Sequence, residues 1–238
     1  MSLSVPASNH SVRAVVFDLD NTLVDTLGAI VAAFNVVMAP EAGRDLTTPE
    51  VVSYFGPTEE NCLRNAVKKQ DVEESIERFH RAYAERIRGL TPYPGIVPIL
   101  QRLRTAGKVL GLATGKGRRT TRATLEALGL APLFSAVMTG DDVIRNKPHP
   151  EPLLRIAEAA RCRPEQLVMV GDALADIRSA RAAGATALLA LWGHRDPRPG
   201  HDEQARAEAH AVLPHVADLE VWLASHGSLG PDTPFGGV

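Results

Sequence analysis

At 238 residues, with 45% apolar and 23% charged side chains, the chain has the balance of a globular protein, long enough for one large domain with a sizeable insertion. A net charge of −2 offers no excess of positive charge for nucleic acid or an anionic membrane surface, which excludes both as main partners. No run of about 18 apolar residues occurs, so no membrane span is expected. Two cysteines, Cys62 and Cys162, lie in segments of different character. A chain of this length needs no disulfide, and a reducing, cytoplasmic compartment is expected. The first ten residues lack the basic start and apolar middle of a signal peptide and read as a tail. The Gly- and Pro-rich end from Ser228 reads as a frayed terminus.

In chain order, Val12-Arg13-Ala14-Val15-Val16-Phe17 is an apolar run without alternation, which predicts a buried parallel strand. It leads directly into Asp18-Leu19-Asp20-Asn21-Thr22-Leu23. Side chains two apart on an extended segment point the same way, so Asp18 and Asp20 can converge on one ligand. The C-terminal edge of such a strand is where open α/β sheets bind ligands. An isolated Asp-x-Asp is also compatible with a solvated loop, and the rest of the chain has to decide.

Residues from about 27 to 92 read as helical. Leu27, Ile30, Val31, Phe34 and Met38 follow helical spacing, as do Val72, Ile76, Phe79, Tyr83 and Ile87, with no strand between them. Tyr93-Pro94-Gly95 reads as a return hinge. The expected division is therefore a core of residues 1–26 and 93–238 with a helical unit, 27–92, inserted after the first strand. Placed beside the carboxylate edge it could serve as a lid or as an extra packing layer, and periodicity does not separate the two.

Beyond residue 95 strands and helices alternate. Helical stripes run through Ile96–Leu103, Thr121–Leu128, Leu153–Ala160 and Ile177–Ala180. Strand-like runs cover Val109–Ala113, Ala136–Met138, Leu167–Val170 and Ala187–Leu191. Gly107, Gly129 and Gly184 mark helix ends. This rhythm predicts a Rossmann-like, doubly wound parallel α/β sheet.

Three more polar clusters fall at or near the predicted strand ends: Thr114-Gly115-Lys116, Lys147-Pro148-His149-Pro150-Glu151-Pro152, and Gly171-Asp172-Ala173-Leu174-Ala175-Asp176. Asp172 and Asp176 stand four apart and share a face if a helix starts there. Each cluster alone has an ordinary explanation as a turn. Together they gather carboxylates that would repel unless a cation sat among them. All candidate ligands are oxygen donors, which favours a hard ion such as Mg2+. With that ion, Lys147 and the Thr114 hydroxyl make a pocket suited to a phosphate dianion. Asp18 is then a nucleophile able to form an aspartyl-phosphate, and Asp20 a general acid and base.

These clusters are where the chain resembles the haloacid dehalogenase superfamily, in its phosphoglycolate phosphatase-like branch with a helical cap. The family's Asp-x-Asp-x-Thr motif matches Asp18 to Thr22, its second-motif Thr/Ser matches Thr114, its Lys-Pro matches Lys147-Pro148, and its Gly-Asp-x-x-x-Asp matches Gly171 to Asp176. The resemblance covers nearly all of residues 12 to 225. It implies a Mg2+-dependent hydrolase of a small phosphorylated metabolite, with Thr114, Gly115 and Lys147 at the phosphate. It also implies that Asp18, the Asp20 backbone carbonyl and Asp172 hold the ion, with Asp176 in support. Asn21 stands where the family usually has Gly, and Thr26 where Ser is common. Asn tolerates positive φ, so a turn there survives.

By the same resemblance Asp20 argues against the dehalogenase and phosphonate-hydrolase branches, which lack it, and makes a Schiff-base role for Lys68 or Lys69 poor. Phosphoglycolate is the nearest named substrate, with inorganic pyrophosphate next. A sugar-phosphate mutase shares the motifs, although Val51-Val52-Ser53-Tyr54-Phe55-Gly56 lacks the Arg such mutases tend to carry. Arg64, Tyr83, Arg86 and Arg88 are polar cap residues that could meet a substrate carboxylate, with a solvated face the simpler role for most and core the simpler one for Tyr83. His149 reads as a turn residue. Trp192-Gly193-His194 is placed to help close the site. A monomer and a homodimer are equally compatible with the sequence.

Overall fold

The computed structural model of the chain describes residues 11–55, 58–67, 71–193 and 201–229. Six strands, β1 (Ala14–Phe17), β2 (Val109–Ala113), β3 (Ala136–Met138), β4 (Leu167–Gly171), β5 (Thr186–Ala190) and β6 (Ala211–Leu213), form one sheet. Every pairing is parallel, in the order β3-β2-β1-β4-β5-β6. The chain builds outward from β1 through β2 to β3, then returns to β1's other side with β4. That reversal puts a crevice at the C-terminal ends of β1 and β4, the place where doubly wound sheets bind ligands. The sheet has the predicted Rossmann-like class. β6, at three residues, is too short to stand out in the sequence.

The sheet is buried on both faces, which is why its central strands carry no polar alternation. Val15 and Phe17 of β1 point to one face, under α5 (Ile96–Thr105), α6 (Arg118–Ala127) and α10 (Val216–Ser225). Ala14 and Val16 point to the other, under α7 (Glu151–Ala159), α8 (Leu174–Ala183) and α9 (His201–Glu208). Gly111 in β2 lets α7 approach closely: a Cβ there would lie 2.8 Å from Ile156 Cγ2 and 3.2 Å from Val16 Cγ2.

Between β1 and β2 the chain runs through α1 (Leu27–Ala42), α2 (Thr48–Val52), α3 (Glu59–Ala66) and α4 (Val72–Arg86). These helices bury an apolar cluster of their own, including Ile30, Phe34, Val37, Leu63, Ile76 and Phe79. Phe34 and Phe79 meet edge to face at 5.0 Å between ring centres. α1 contains Pro40, whose missing N–H leaves the Val36 carbonyl without its helical partner. Arg78 of α4 supplies one, donating from Nη2 to Val36 O at 2.7 Å. The segments before α1 and before α5 run side by side and are tied where Tyr93 N–H donates to Leu23 O at 2.9 Å. Among the described residues no helix is long and apolar enough to cross a membrane.

Candidate active site

β1 ends at Phe17, so Asp18 sits at the sheet's edge, with its side chain 11% exposed. A turn follows: Asn21 N–H donates to Val24 O at 2.8 Å, and Asn21 takes φ 58°, the left-handed conformation expected of Asn at this point. Trp192, just past β5, donates from its indole N–H to Thr22 O at 2.9 Å. Gly193 packs directly on the Asn21 carbonyl, where a Cβ would collide. These two residues brace the turn that carries Asp20. His194 lies outside the described residues, as do Lys68 and Lys69.

β4 delivers Asp172 beside Asp18. The helix expected to begin there starts two residues later, at Leu174, so Asp172 and Asp176 are brought together by a cap rather than by one helical face. Asp176 is the third residue of α8, and its Oδ2 accepts the Ala173 N–H at 3.0 Å. Its carboxyl group rests on Gly171, where any Cβ would overlap it. Asp18, Asp172 and Asp176 thus offer oxygens all within 4.8 Å of one another. The Thr22 hydroxyl donates to Asp172 Oδ1 at 3.4 Å.

Lys147, from the loop before α7, reaches into this cluster. Its Nζ lies 2.8 Å from Asp18 Oδ1, 2.5 Å from Asp176 Oδ1 and 2.8 Å from the Ala113 carbonyl that closes β2. Burial alone would lower the Lys147 pKa, but the charges of Asp176 and Asp18 outweigh it and raise it above the ordinary value. The ammonium is held charged. Burial pushes the Asp18 carboxyl up to about 7, against the pull of Lys147 and with further push from Asp176 and Asp20. Burial, then repulsion by Asp18 and Asp176, raises Asp172 well above the usual carboxylate range. One ammonium therefore does not satisfy these acids, and a set of oxygen donors short of positive charge fits Mg2+.

A cavity of about 240 Å3 opens over the cluster. Asp18, Asp20, Thr114, Gly115, Asn146, Lys147 and Asp176 line it together with Ile30, Phe34, Phe55 and Cys62 from the segment between β1 and α4. Thr114 is buried at the end of β2, its N–H donating to Met138 O at 2.9 Å. Arg64, Arg86 and Arg88 are not among the lining residues. Arg64 pairs with Glu73 on the surface at 2.5 Å, while Arg86 and Arg88 are exposed. Tyr83 is core, as its place in the α4 stripe implies, with its hydroxyl 2.7 Å from Thr124 Oγ1. His149 serves a turn, its Nδ1 accepting the Glu151 N–H at 3.1 Å.

Lys116, within the Thr114-Gly115-Lys116 cluster but without a role of its own in the sequence, and Glu59, outside every motif, also belong to the site. Lys116 is followed by Gly117-Arg118-Arg119 in the sequence, yet it is buried in the cavity wall. Glu59 opens α3 and is buried against it. The one signal for Lys116 was its position two residues after Thr114. For Glu59 there was none, because a Glu in the first turn of a helix ordinarily faces water.

A doubly wound parallel sheet whose strand ends gather acids and a buried lysine around a small cavity defines an α/β protein whose site suits a cation together with an anionic ligand. The family model of the haloacid dehalogenase-like hydrolases matches residues 15–190, and the chain belongs to that family. It is 34% identical over 230 residues to a phosphoglycolate phosphatase of Xylella fastidiosa, covering 93% of this chain and 99% of that one. Among solved structures it is similar to a family hydrolase from Deinococcus radiodurans with bound phosphate and sodium. The TM-score is 0.68 and the identity 28%, over 94% of this chain and 100% of that one. A putative beta-phosphoglucomutase from Thermotoga maritima shares the fold at TM-score 0.69 and 24% identity, over 89% of this chain and 99% of that one.

Proposed function

We propose that this protein is a phosphatase that hydrolyses a small phosphomonoester, of the size and kind of phosphoglycolate, through a phosphorylated Asp18. The observation that carries the reading is the pairing of a buried carboxylate, Asp18, with a charged lysine at 2.8 Å on the floor of a cavity of about 240 Å3. A cavity of that volume lies just below the usual range of drug-sized ligand sites and suits a small phosphorylated molecule. The phosphoglycolate phosphatase at 34% identity and the phosphate held by the Deinococcus structure support the same substrate class.

In this reading Lys147, the Thr114 hydroxyl and the Gly115 backbone receive the phosphate oxygens. Asp18 Oδ attacks phosphorus, the bond from phosphorus to the alcohol oxygen breaks, and Asp20 gives that oxygen its proton. Water then attacks the phosphorus, Asp20 takes its proton, and the bond to Asp18 breaks to free inorganic phosphate. Asp18, Asp172 and the Asp20 carbonyl would hold Mg2+, with Asp176 steadying Lys147 and the helix start. Bound there, the ion supplies charge neutralisation for both the acids and the phosphate. Residues 27–92 act as a cap over a core of 1–26 and 93–238, excluding bulk water from the cavity.

The test is phosphate release from phosphoglycolate, pyrophosphate, sugar phosphates and nucleotides, with Mg2+, with chelator, and with Asp18→Asn. Metal-dependent release that disappears in the variant is the expected result. Release that persists in Asp18→Asn rules out the aspartyl-phosphate route. Isomerisation of a sugar phosphate without phosphate release would make the protein a mutase.

A further inference from the structure

One ammonium joins three parts of the molecule. Lys116 Nζ lies 3.4 Å from Asp20 Oδ2, on the turn after β1, and 3.3 Å from Glu59 Oε1, at the start of α3. The Thr26 hydroxyl, at the exit toward α1, is 3.5 Å away. The ring of Tyr83 in α4 lies under the ammonium at 5.0 Å. The Lys116 side chain is only 4% exposed, and that of Glu59 only 8%. Glu59 is held a second time, its Oε2 accepting the Gly117 N–H at 2.7 Å. Both oxygens of one inserted-helix carboxylate are thereby fastened to the segment that follows Thr114.

Close approach of this carboxylate depends on small residues opposite. A Cβ at Gly117 would lie 3.1 Å from Glu59 Oε2, and one at Gly140 would lie 2.6 Å from Thr58 Cγ2. The core surface here is shaped to receive Thr58 and Glu59. Asp20 is positioned from both sides, its Oδ1 accepting from the Thr26 hydroxyl while its Oδ2 faces Lys116.

We propose that Lys116 is a positioning residue that ties Asp20 to the docked cap through Glu59, so that the acid is correctly placed only when α3 is seated on the core. This rests on the phosphatase reading above, in which Asp20 protonates the leaving alcohol. With Glu59 withdrawn, Lys116 loses one of its two carboxylates and Asp20 loses a fixed counter-charge. The phosphate end reaches Glu59 through backbone: the Lys116 N–H donates to Thr114 Oγ1 at 3.3 Å and the Gly117 N–H to Glu59 Oε2 at 2.7 Å, and neither bond uses the Lys116 ammonium. The Lys116 ammonium, whose carboxylate partners are Asp20 and Glu59, therefore acts on proton transfer through Asp20 rather than on attack at phosphorus.

That division has a signature. A nitrophenolate leaves without a proton, whereas an alkoxide needs one. In Lys116→Met, kcat/KM for phosphoglycolate, which reports the steps up to loss of the alcohol, should fall at least about tenfold further than kcat/KM for p-nitrophenyl phosphate, since general acid catalysis is worth about 100-fold or more where the leaving group needs it. Glu59→Gln should show the same leaving-group bias, and Lys116→Arg should restore part of the loss. In an Asp20→Asn background Lys116→Met should add no further bias, because the group it positions is already disabled. Hydrogen exchange of the α3 amides should quicken in Lys116→Met and in Glu59→Gln, which reads the tie without any substrate.

Equal losses of kcat/KM on both substrates, or a bias that persists undiminished in Asp20→Asn, would overturn the proposal while leaving the phosphatase reading intact. Unchanged exchange in α3 would do the same. A wild-type protein that releases phosphate from neither substrate would instead remove the phosphatase reading and the proposal with it.

Discussion

Asp176 occupies the space that a side chain on Gly171 would need, so the last residue of β4 is glycine for the sake of a carboxyl group five positions on. Gly171→Ala should therefore push Asp176 off its two partners, Lys147 and the Ala173 N–H. Overpacking of this kind costs about 1–3 kcal/mol, so the protein should still fold. The expected outcome is a folded variant with sharply reduced turnover and weaker Mg2+ binding, checked by thermal unfolding alongside titration calorimetry.

The acids also set a dependence on pH. Asp18 ionises near 7 in the folded protein and at an ordinary 3.8 in the unfolded chain, with Asp172 shifted the same way. Between those values the folded state binds more protons than the unfolded one. Stability of the metal-free protein should decline as pH rises through that window. A cation bound among the ionised acids offsets this loss, so the gain in Tm on adding Mg2+ should be larger at pH 8 than at pH 5. Equal gains at both values would contradict it.

Lys147→Met removes the charge that Asp18 and Asp176 share. Stranding buried carboxylates costs about 3–5 kcal/mol, which for a chain this long lowers Tm by roughly 10 °C. Mg2+ should recover part of that loss in a melting experiment. Activity should not return, because the phosphate loses its lysine.

Arg78→Ala leaves the Val36 carbonyl beside Pro40 without a partner. The expected penalty is about 1–2 kcal/mol, confined to the helical insertion. Hydrogen exchange should quicken along α1 and α4 while the sheet stays protected. KM should rise more than kcat falls, since the site's acids are untouched.

Much of this could be read from the residues. The β1 run and its two acids, Gly107, Gly129 and Gly184 at the ends of three helices, and the Thr114, Lys147 and Asp172 clusters all express local rules of burial, capping and strand polarity, which a linear chain displays openly. The α8 start was harder. Asp172 and Asp176 have the spacing of one helical face, but Asp176 is drawn back onto the Ala173 N–H, which fixes the first turn later. Lys116 and Glu59 were hidden for a different reason. Each is an ordinary surface residue by type, 57 positions apart, and only the folded contact between insertion and core makes either one buried. Pairings of that kind carry no periodicity. Trp192 lay between these cases: its place after β5 put it near the crevice, but its bond to the Thr22 carbonyl depends on the turn's own shape.

The hydrogen bond from Tyr93 to Leu23 means that the helical insertion begins and ends at nearly one point. Such a unit can be lifted out, lengthened or exchanged for another without disturbing the strand order beneath it, since a short bridge across residues 26 and 93 would close the gap. The sheet can thus keep one chemistry while successive insertions supply different rooms above it. On the cap reading proposed above, a graft of residues 27–92 onto a related core should keep the Glu59 contact only where the recipient offers a lysine two residues after its own Thr114 equivalent.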